Sequence, residues 1–252
     1  MDRGFYNAAS AMMLQQRKLD TISNNLANAR TAGYKSETVA TTTFNNILIS
    51  RLDEDGIYYD STEIGVNAPL RIVDRVLQTY TQGDISTTDI PTDIALSGEG
   101  YFNIVNQDGE TYYTRNGAFQ LDEEGYLAFG NLGRVQGLNG DIDLSGRTDF
   151  TITEEGIILD YEGNEIDTLR ISWCDDVNAL AKQDSGMFAA GEAEMYDISC
   201  NVVQGALESS SVDLNTQMTM IMEAQNRFQA MSTVLKTLDE INSLAVNQIG
   251  KL

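Results

Sequence analysis

The side chains able to do chemistry are plentiful in one kind and missing in another. The 252 residues include 38 Asp and Glu, 2 Cys and no His. Without imidazole the commonest general base and metal ligand is gone, so hydrolytic triads and ordinary zinc sites have no starting point. Cys174 and Cys200 lie 26 residues apart with no CxxC spacing, and two free thiols or one disulfide both fit. That leaves the carboxylates. Two of them could hydrolyse a glycosidic bond if a pocket held them about 5 to 9 Å apart. Asp53, Asp55 and Gly56 resemble part of a calcium loop, but Arg51 at the first ligand position and Thr62 at the last make an acidic surface turn the better reading. Glu123-Glu124 and Glu154-Glu155 precede glycines and read as solvated hairpin turns. Gly98-Glu99-Gly100 follows an apolar run as a dinucleotide loop does, yet Asn103 stands where a third glycine belongs and strand-forming residues follow, so a tight turn is expected. As an enzyme the sequence is nearly empty, and no cofactor or metal site is expected.

Charge and hydropathy say more about what these residues are mounted on. The net charge of -22 argues against nucleic acid or an anionic membrane as a partner. Residues 1–36 hold five basic and two acidic side chains and residues 212–252 hold three and four, which leaves -24 on the stretch between. A solvated acidic body thus separates two nearly neutral ends, as suits surfaces that will be packed away. No run of 18 apolar residues is present, so no membrane insertion is expected, and the start has no secretory-signal profile.

Both ends carry the pattern of a helix that needs a partner. Near the start, Phe5, Met12, Leu19 and Leu26 sit seven apart, with Ala8, Gln15, Ile22 and Ala29 at the companion position. Near the end, Leu214, Ile221, Phe228, Leu235 and Ile249 repeat with Asn242 interrupting, and Ala224, Met231, Leu238, Ala245 and Leu252 accompany them with Gln217 as the polar member. Such narrow apolar seams call for another helix to cover them, and each end supplies what the other lacks. The spacing predicts helices over 3 to about 29 and 211 to 249, the second roughly 55 Å long and capped by Ser210 or Ser211. Gly33 ends the first. Methionines 12, 13, 218, 220, 222 and 231 lie on these helices, where they fill gaps or adapt to several neighbours.

Between the helices, residues 37–71 read as an extended or irregular arm, with a strand at 70–81. From 83 to 172, short β-rich runs alternate with Asp-Gly, Asn-Gly and Glu-Gly turns at the spacing of an all-β domain: 94–96, 101–105, 111–114, 118–121, 126–129, 135, 142–144, 150–152, 157–160 and 168–173. A short helical stretch is expected at 177–182, and 196–207 leads back to the last helix. The fold class expected is α+β: paired, coiled-coil-like N- and C-terminal helices with an inserted mainly-β domain. Its parts are 1–36, a linker arm 37–82, the β domain 83–206 and the closing helix 207–252.

Four stretches resemble the signatures of bacterial flagellar rod proteins, within the wider family of hook and rod axial proteins. Leu19-Asp-Thr-Ile-Ser-Asn-Asn-Leu-Ala-Asn28 with Thr31-Ala-Gly-Tyr-Lys35 is similar to the amino-terminal signature, including Asn24, Asn25, Leu26, Ala27, Asn28 and Gly33. Asp93-Ile-Ala-Leu-Ser-Gly-Glu-Gly-Tyr-Phe102 and Tyr113-Thr-Arg-Asn-Gly-Ala-Phe119 resemble middle-domain motifs, with Asp93, Gly98, Gly100, Tyr113, Arg115 and Gly117. Gly205-Ala-Leu-Glu-Ser-Ser-Ser-Val212 and Arg227-Phe228 resemble the carboxy-terminal signature, with Glu208 and Val212. Ser211 replaces the usual Asn, and Gln229 an acid.

The resemblance implies a structural subunit of the shaft that transmits torque from motor to hook. It implies assembly with copies of itself and with other rod and hook proteins, and export by the flagellar type III apparatus without a cleaved signal, to the extracytoplasmic basal body. In the family the terminal helices form the inner tube, and a motif spanning Thr21 to Phe44 joins tube to β domain. The interface residues this suggests are Phe5, Met12, Leu19, Ile22, Leu26, Leu214, Ile221, Phe228, Leu235 and Leu238. The chief rival is an extracellular calcium-dependent β-rich adhesin, which the acidic, glycine-punctuated middle alone suggests.

Overall fold

A computed structural model describes residues 3–43, 47–52, 61–67, 71–147, 149–183 and 186–249. It has an N-terminal helix, a mainly-β middle and a C-terminal helix, and is therefore α+β. The chain divides into two compact units. One holds Met1–Leu26, Glu37–Leu77 and Leu214–Leu252; the other holds Ala27–Ser36 and Gln78–Asp213.

In the helical unit, α1 spans Arg3–Ala27 and α2 spans Leu214–Leu244. Ala, Met, Leu and Gln dominate α1, all strong helix formers, and no proline interrupts it. Two contacts give the relative direction of the helices. Asn25 Nδ2 lies 3.4 Å from Gln217 Oε1, while a Cβ placed on Gly4 would lie 3.6 Å from Leu238 Cδ1. The start of one helix is thus beside the end of the other. Asn25, 1% exposed, also holds the strand that follows: its amide donates to the Glu37 carbonyl (2.8 Å) and its oxygen accepts from the Glu37 N–H (2.9 Å).

Three expectations about this region change. The stretch expected to be an extended or irregular arm contains strands: Glu37–Thr43 pairs with Arg71–Gln78, which lies within the strand expected at 70–81, and Ile47–Leu52 forms an antiparallel pair with Ser61–Asn67. Their Thr, Val and Ile content suits a pleated ribbon, but without clean alternation the sequence pattern was mute. The acidic turn at Asp53 to Gly56, with Tyr58 and Tyr59, lies outside the described residues. Neither Ser210 nor Ser211 caps α2, which begins three residues after Ser211 with Asp213 preceding it. The Ser211 hydroxyl instead accepts from the Ser36 N–H at 2.9 Å, and that of Ser210 from the Val212 N–H at 3.3 Å. Finally, α2 gives way to a π-helical turn at Ala245–Ile249, so the α-helical rod is roughly 45 Å long.

In the β-rich unit, Tyr101–Val105 is the centre of the main sheet. Thr111–Thr114 pairs along one edge, while Gly133–Val135 and Ile171–Trp173 share the other. Leu127–Phe129, Gln120–Leu121, Met187–Ala189, Ala181–Lys182 and Tyr196–Asp197 extend the sheet outward. A meander, Phe150–Ile152, Ile157–Asp160 and Glu165–Thr168, packs its apolar side chains into the same core as Ile94, Phe102, Ile104, Leu127 and Val135. The run expected at 168–173 is split, because Leu169 N–H bonds the Gly156 carbonyl and Arg170 N–H that of Gln136, moving the chain from one sheet to the other. Residues 142–144 are buried at Ile142 and Leu144 but contribute only an isolated bridge, Tyr126 to Asp143. The expected helical stretch at 177–182 is a 3-10 turn over Val177–Ala179 followed by strand Ala181–Lys182. The return segment is also stranded. Asn201–Gln204 pairs with Ile94–Ser97, and Ala206–Glu208 with Ile85–Thr87, so the unit is closed by its last residues.

Candidate functional site

Two features stand out, one in each unit. In the helical unit the companion-position residues Gln217 and Ala224 are buried, and Ile221, Phe228, Met231, Leu235 and Leu238 are half-buried. The rest of α2 between Gln217 and Leu238 is exposed, apart from half-buried Ser232. On α1, Ala8, Gln15 and Ile22 are buried and Met12, Leu19 and Leu26 half-buried. Leu14 and Thr21 are buried beside this stripe, so α1 is covered over a wider arc than one seam. Phe5 (45%) and Leu214 (43%) remain exposed, Phe5 with the Tyr6 ring edge-on at 6.4 Å. Ile22, Val39, Met220 and Ala224 line a cleft of about 350 Å3, edged by Lys18, Glu37, Glu223 and Arg227.

The β-rich unit contains a buried ion cluster assembled from three distant parts of the sequence. The turn after α1 brings Lys35, the end of strand Thr111–Thr114 brings Arg115, and strand Ala206–Glu208 brings Glu208. Glu208 Oε1 takes Lys35 Nζ at 2.6 Å and the Gly83 N–H at 2.9 Å, while Oε2 takes Arg115 Nε at 2.5 Å. Both side chains of each pair are at most 4% exposed. Burial opposes ionisation of Glu208, but the charge of Arg115, the hydrogen bonds from Lys35 and Arg115 and the Gly83 N–H outweigh it and hold its carboxyl below the usual range. Burial pulls the Lys35 ammonium down, against its pairing with Glu208.

The guanidinium of Arg115 then ties down the glycine loop. Its Nη1 donates to the Gly100 carbonyl (2.5 Å), and its Nη2 to those of Leu96 (3.2 Å) and Gly98. Gly33, at φ +66°, donates its N–H to the Glu208 carbonyl at 2.8 Å, and a Cβ there would come within 2.5 Å of the Arg115 backbone. Gly117 is pressed still closer, since an added Cβ would lie 1.6 Å from the Ile94 carbonyl oxygen. Gly33, Gly100, Arg115 and Glu208 thus meet at one buried point, which the carbonyl of exposed Gly98 also reaches. Asp93 is buried nearby in the chain, its carbonyl accepting from the Gly205 N–H at 2.8 Å.

The other motif residues lie elsewhere. Tyr113 is buried in a second apolar cluster with Tyr101, Cys174, Leu180 and Phe188. Val212 is buried, Asn28 accepts from the Thr31 hydroxyl at 3.2 Å, and Asn24 and Ala27 are exposed. Lys35 belongs to the amino-terminal motif with no role of its own legible there, and Gly83 carries no sequence signal. A lone lysine two residues past a turn glycine, in a chain with an isolated Glu208 among serines, was the clue available. Cys174 and Cys200 are free and buried, and burial pushes both thiols up. Among the described residues no group of three or more His, Cys, Asp or Glu is placed to hold a metal ion. Nor is any helix among them long and apolar enough to cross a membrane.

This arrangement, heptad helices at the ends and a buried ion cluster that takes one residue or more from the amino-terminal, middle and carboxy-terminal motifs, agrees with three family models. "Flagella basal body rod protein" matches residues 5–35, "Flagellar hook protein FlgE/F/G D1 domain" 95–160 and "Flagellar basal body rod FlgEFG protein C-terminal" 203–249. The chain is 32% identical to the flagellar basal-body rod protein FlgG of Bacillus subtilis, over 98% of this chain and 99% of the relative. The chain belongs to the flagellar basal-body rod protein family. Within it, the FlgF/FlgG group is supported by a FlgF of Caulobacter vibrioides, 26% identical over the full length of both chains. The flagellar hook-basal body complex protein FlhO of Bacillus subtilis is 29% identical, again over all of both. Rod-family membership makes the chain a structural rod subunit of the flagellum, and these names speak for that and not for an adhesin.

Proposed function

We propose that this rod subunit builds the axial shaft through its terminal helices and carries torque from motor to hook by packing alone, without a catalytic step. The observation that supports this is the surface of α2: beneath it runs the half-buried heptad stripe, and outside it Met218, Met220, Met222, Val234, Ile241 and Leu244 are exposed. An apolar stripe pairs α1 and α2 as a coiled-coil-like unit, and the remaining apolar side chains meet neighbouring subunits. Head-to-tail contacts that do not close make a filament. Phe5, Met12, Leu19, Ile22, Leu26, Leu214, Ile221, Phe228, Leu235 and Leu238 are the proposed interface, drawn from 1–36 and 207–252. The arm 37–82 links them to an outer β domain, 83–206, whose acidity keeps free subunits apart.

Partners are copies of this chain and other rod and hook proteins, reached after export through the flagellar type III apparatus to the extracytoplasmic basal body. Electron microscopy of the purified protein, alone and with other rod components, tests the reading, with tubular assemblies expected. Deleting 215–252 should abolish them while the β-rich unit stays folded, and tubes formed by the deleted protein would sink the idea.

A further inference from the structure

Beside the ion cluster, the β-rich unit has a cleft of about 340 Å3 whose walls include Tyr80, Trp173, Val177 and the Gly98–Tyr101 loop, with Lys35 and Arg115 among its lining residues. Three properties set it apart from a packing gap. Tyr101 is 1% exposed, stacked on Trp173 (5.7 Å between centroids, 11° between planes), yet its hydroxyl has no hydrogen-bond partner among the described residues. Burial pushes that phenol up, so it stays a donor. Beneath it two cations, Lys35 and Arg115, share the single carboxylate of Glu208. Both cations have acceptors, Glu208 with the Thr81 carbonyl for Lys35 and with the Leu96, Gly98 and Gly100 carbonyls for Arg115, so what the cleft offers a ligand is the Tyr101 hydroxyl and one positive charge more than Glu208 neutralises. The third property is shape: the walls are aromatic and aliphatic, and the Tyr80 hydroxyl is already committed to the Val177 carbonyl at 2.6 Å. Such a cleft takes a flat apolar group that carries an anionic acceptor.

The same unit displays that chemistry at another point. At the tip of the hairpin between Ile157–Asp160 and Glu165–Thr168, Tyr161 is 67% exposed, the most exposed aromatic residue of the described chain. Its hydroxyl donates to Glu162 Oε1 at 2.6 Å, so ring and carboxylate are presented together, with Arg147 5.7 Å from the ring centroid. No tip residue lines the cleft, so one copy can offer its tip while its own cleft receives another's. That contact is heterologous and repeats along a row of subunits.

We propose that the cleft is a docking site for the Tyr161–Glu162 tip of a second copy, with the ring entering between Tyr80, Trp173 and Val177 and the carboxylate accepting from the Tyr101 hydroxyl beside Lys35 and Arg115. Glu99, an exposed residue of the same lining, repels an incoming carboxylate, and the two cations outweigh it. The inference rests on the rod-subunit reading, because it needs copies to meet in a row.

Trp173 is the sole tryptophan, so its emission reports the cleft directly. A synthetic peptide of residues 157–168 titrated into the full chain should shift that emission saturably. Tyr101→Phe in the chain should weaken binding about tenfold, as loss of one charge-assisted hydrogen bond does. Should that variant fail to fold, the peptide carrying Glu162→Gln on the wild-type chain must show the same weakening, and the Tyr161→Ala peptide must not bind. A wild-type peptide that leaves Trp173 unchanged, or a Tyr161→Ala peptide that binds equally well, overturns the proposal. Peptide binding without tubular assembly would count against the rod-assembly reading alone; assembly with Trp173 emission unmoved would overturn the docking site alone.

Discussion

In the β-rich unit Ile94, Phe102, Ile104, Leu127, Val135, Ile142 and Ile158 are all 0% exposed, and four of them come from strands of one sheet. In the helical unit Met13, Met218, Met222, Ile241, Leu244 and Val246 are 55 to 74% exposed. The first unit has buried a continuous apolar core within one chain, with single apolar side chains such as Leu138 and Tyr161 left on its surface. The second has covered one stripe and left the others in water, at a density that a free-standing domain seldom tolerates. Apolar side chains are present in both, so the difference lies in whose surface covers them. One unit is a folded object, and the other is a component.

The sharpest test of that contrast is the same deletion made in each unit. Phe102→Ala should destabilise the β-rich unit by about 3 to 5 kcal/mol, whereas Phe228→Ala, half-buried on α2, should cost an isolated subunit nearer 1 kcal/mol. Denaturant unfolding of both variants gives the two numbers; equal losses would mean that the helices already have a complete core. In assembled tubes the Phe228 effect should grow.

Glu208→Gln should cost about 3 kcal/mol or more, since it keeps the shape but leaves Lys35 and Arg115 buried without their anion. Glu208 also predicts a pH profile. Its carboxyl is held below the unperturbed 4.5, so its contribution is fully present above that pH and is lost as pH falls through the folded value. Acid unfolding of wild type and Glu208→Gln should therefore converge below pH 4.5, and parallel curves would remove Glu208 from the explanation.

Smaller effects follow on the surfaces. Met218→Ser with Met222→Ser should leave the melting of the free subunit within about 0.5 kcal/mol of wild type while reducing assembly measured by sedimentation. Smallest of all, Arg134→Ala breaks contacts to Asp122, Glu124 and Asp141 on the β-rich surface and should move the melting temperature only slightly, less still in high salt. A large effect there would mean that surface ion pairs and the buried cluster are not different in kind.

Much of this was legible in one dimension. Seven-residue spacing from Phe5 to Leu26 and from Leu214 to Leu235 shows on any helical projection, because a helix turns a local period into a face. Glycine-marked turns such as Asp108-Gly109 and Asn116-Gly117 announce β-hairpins for the same local reason. The return strands Asn201–Gln204 and Ala206–Glu208 were not legible, because their partners, Ile94–Ser97 and Ile85–Thr87, lie more than 100 residues away and no local signal encodes such a pairing. At the candidate site, the motif glycines and Arg115, Glu208 and Asn25 were visible as a signature, but their purpose was not. Asn25 proves to clip Glu37, and Ser211, expected as a cap, to hold Ser36.

The sequence by itself determined which stretches are helical seams, which are short strands and turns, that no histidine chemistry is available, and which family the signatures belong to. These are properties of residue type and spacing, carried by neighbours along the chain. Only the tertiary structure decided that Lys35, Arg115 and Glu208 share one buried site and that Tyr101 keeps an unused hydroxyl over a cleft. It alone showed that the outward faces of α2 stay in water. Burial and pairing depend on what distant segments bring to a place, and a charge or a phenol acquires its energetic weight only once that place excludes water.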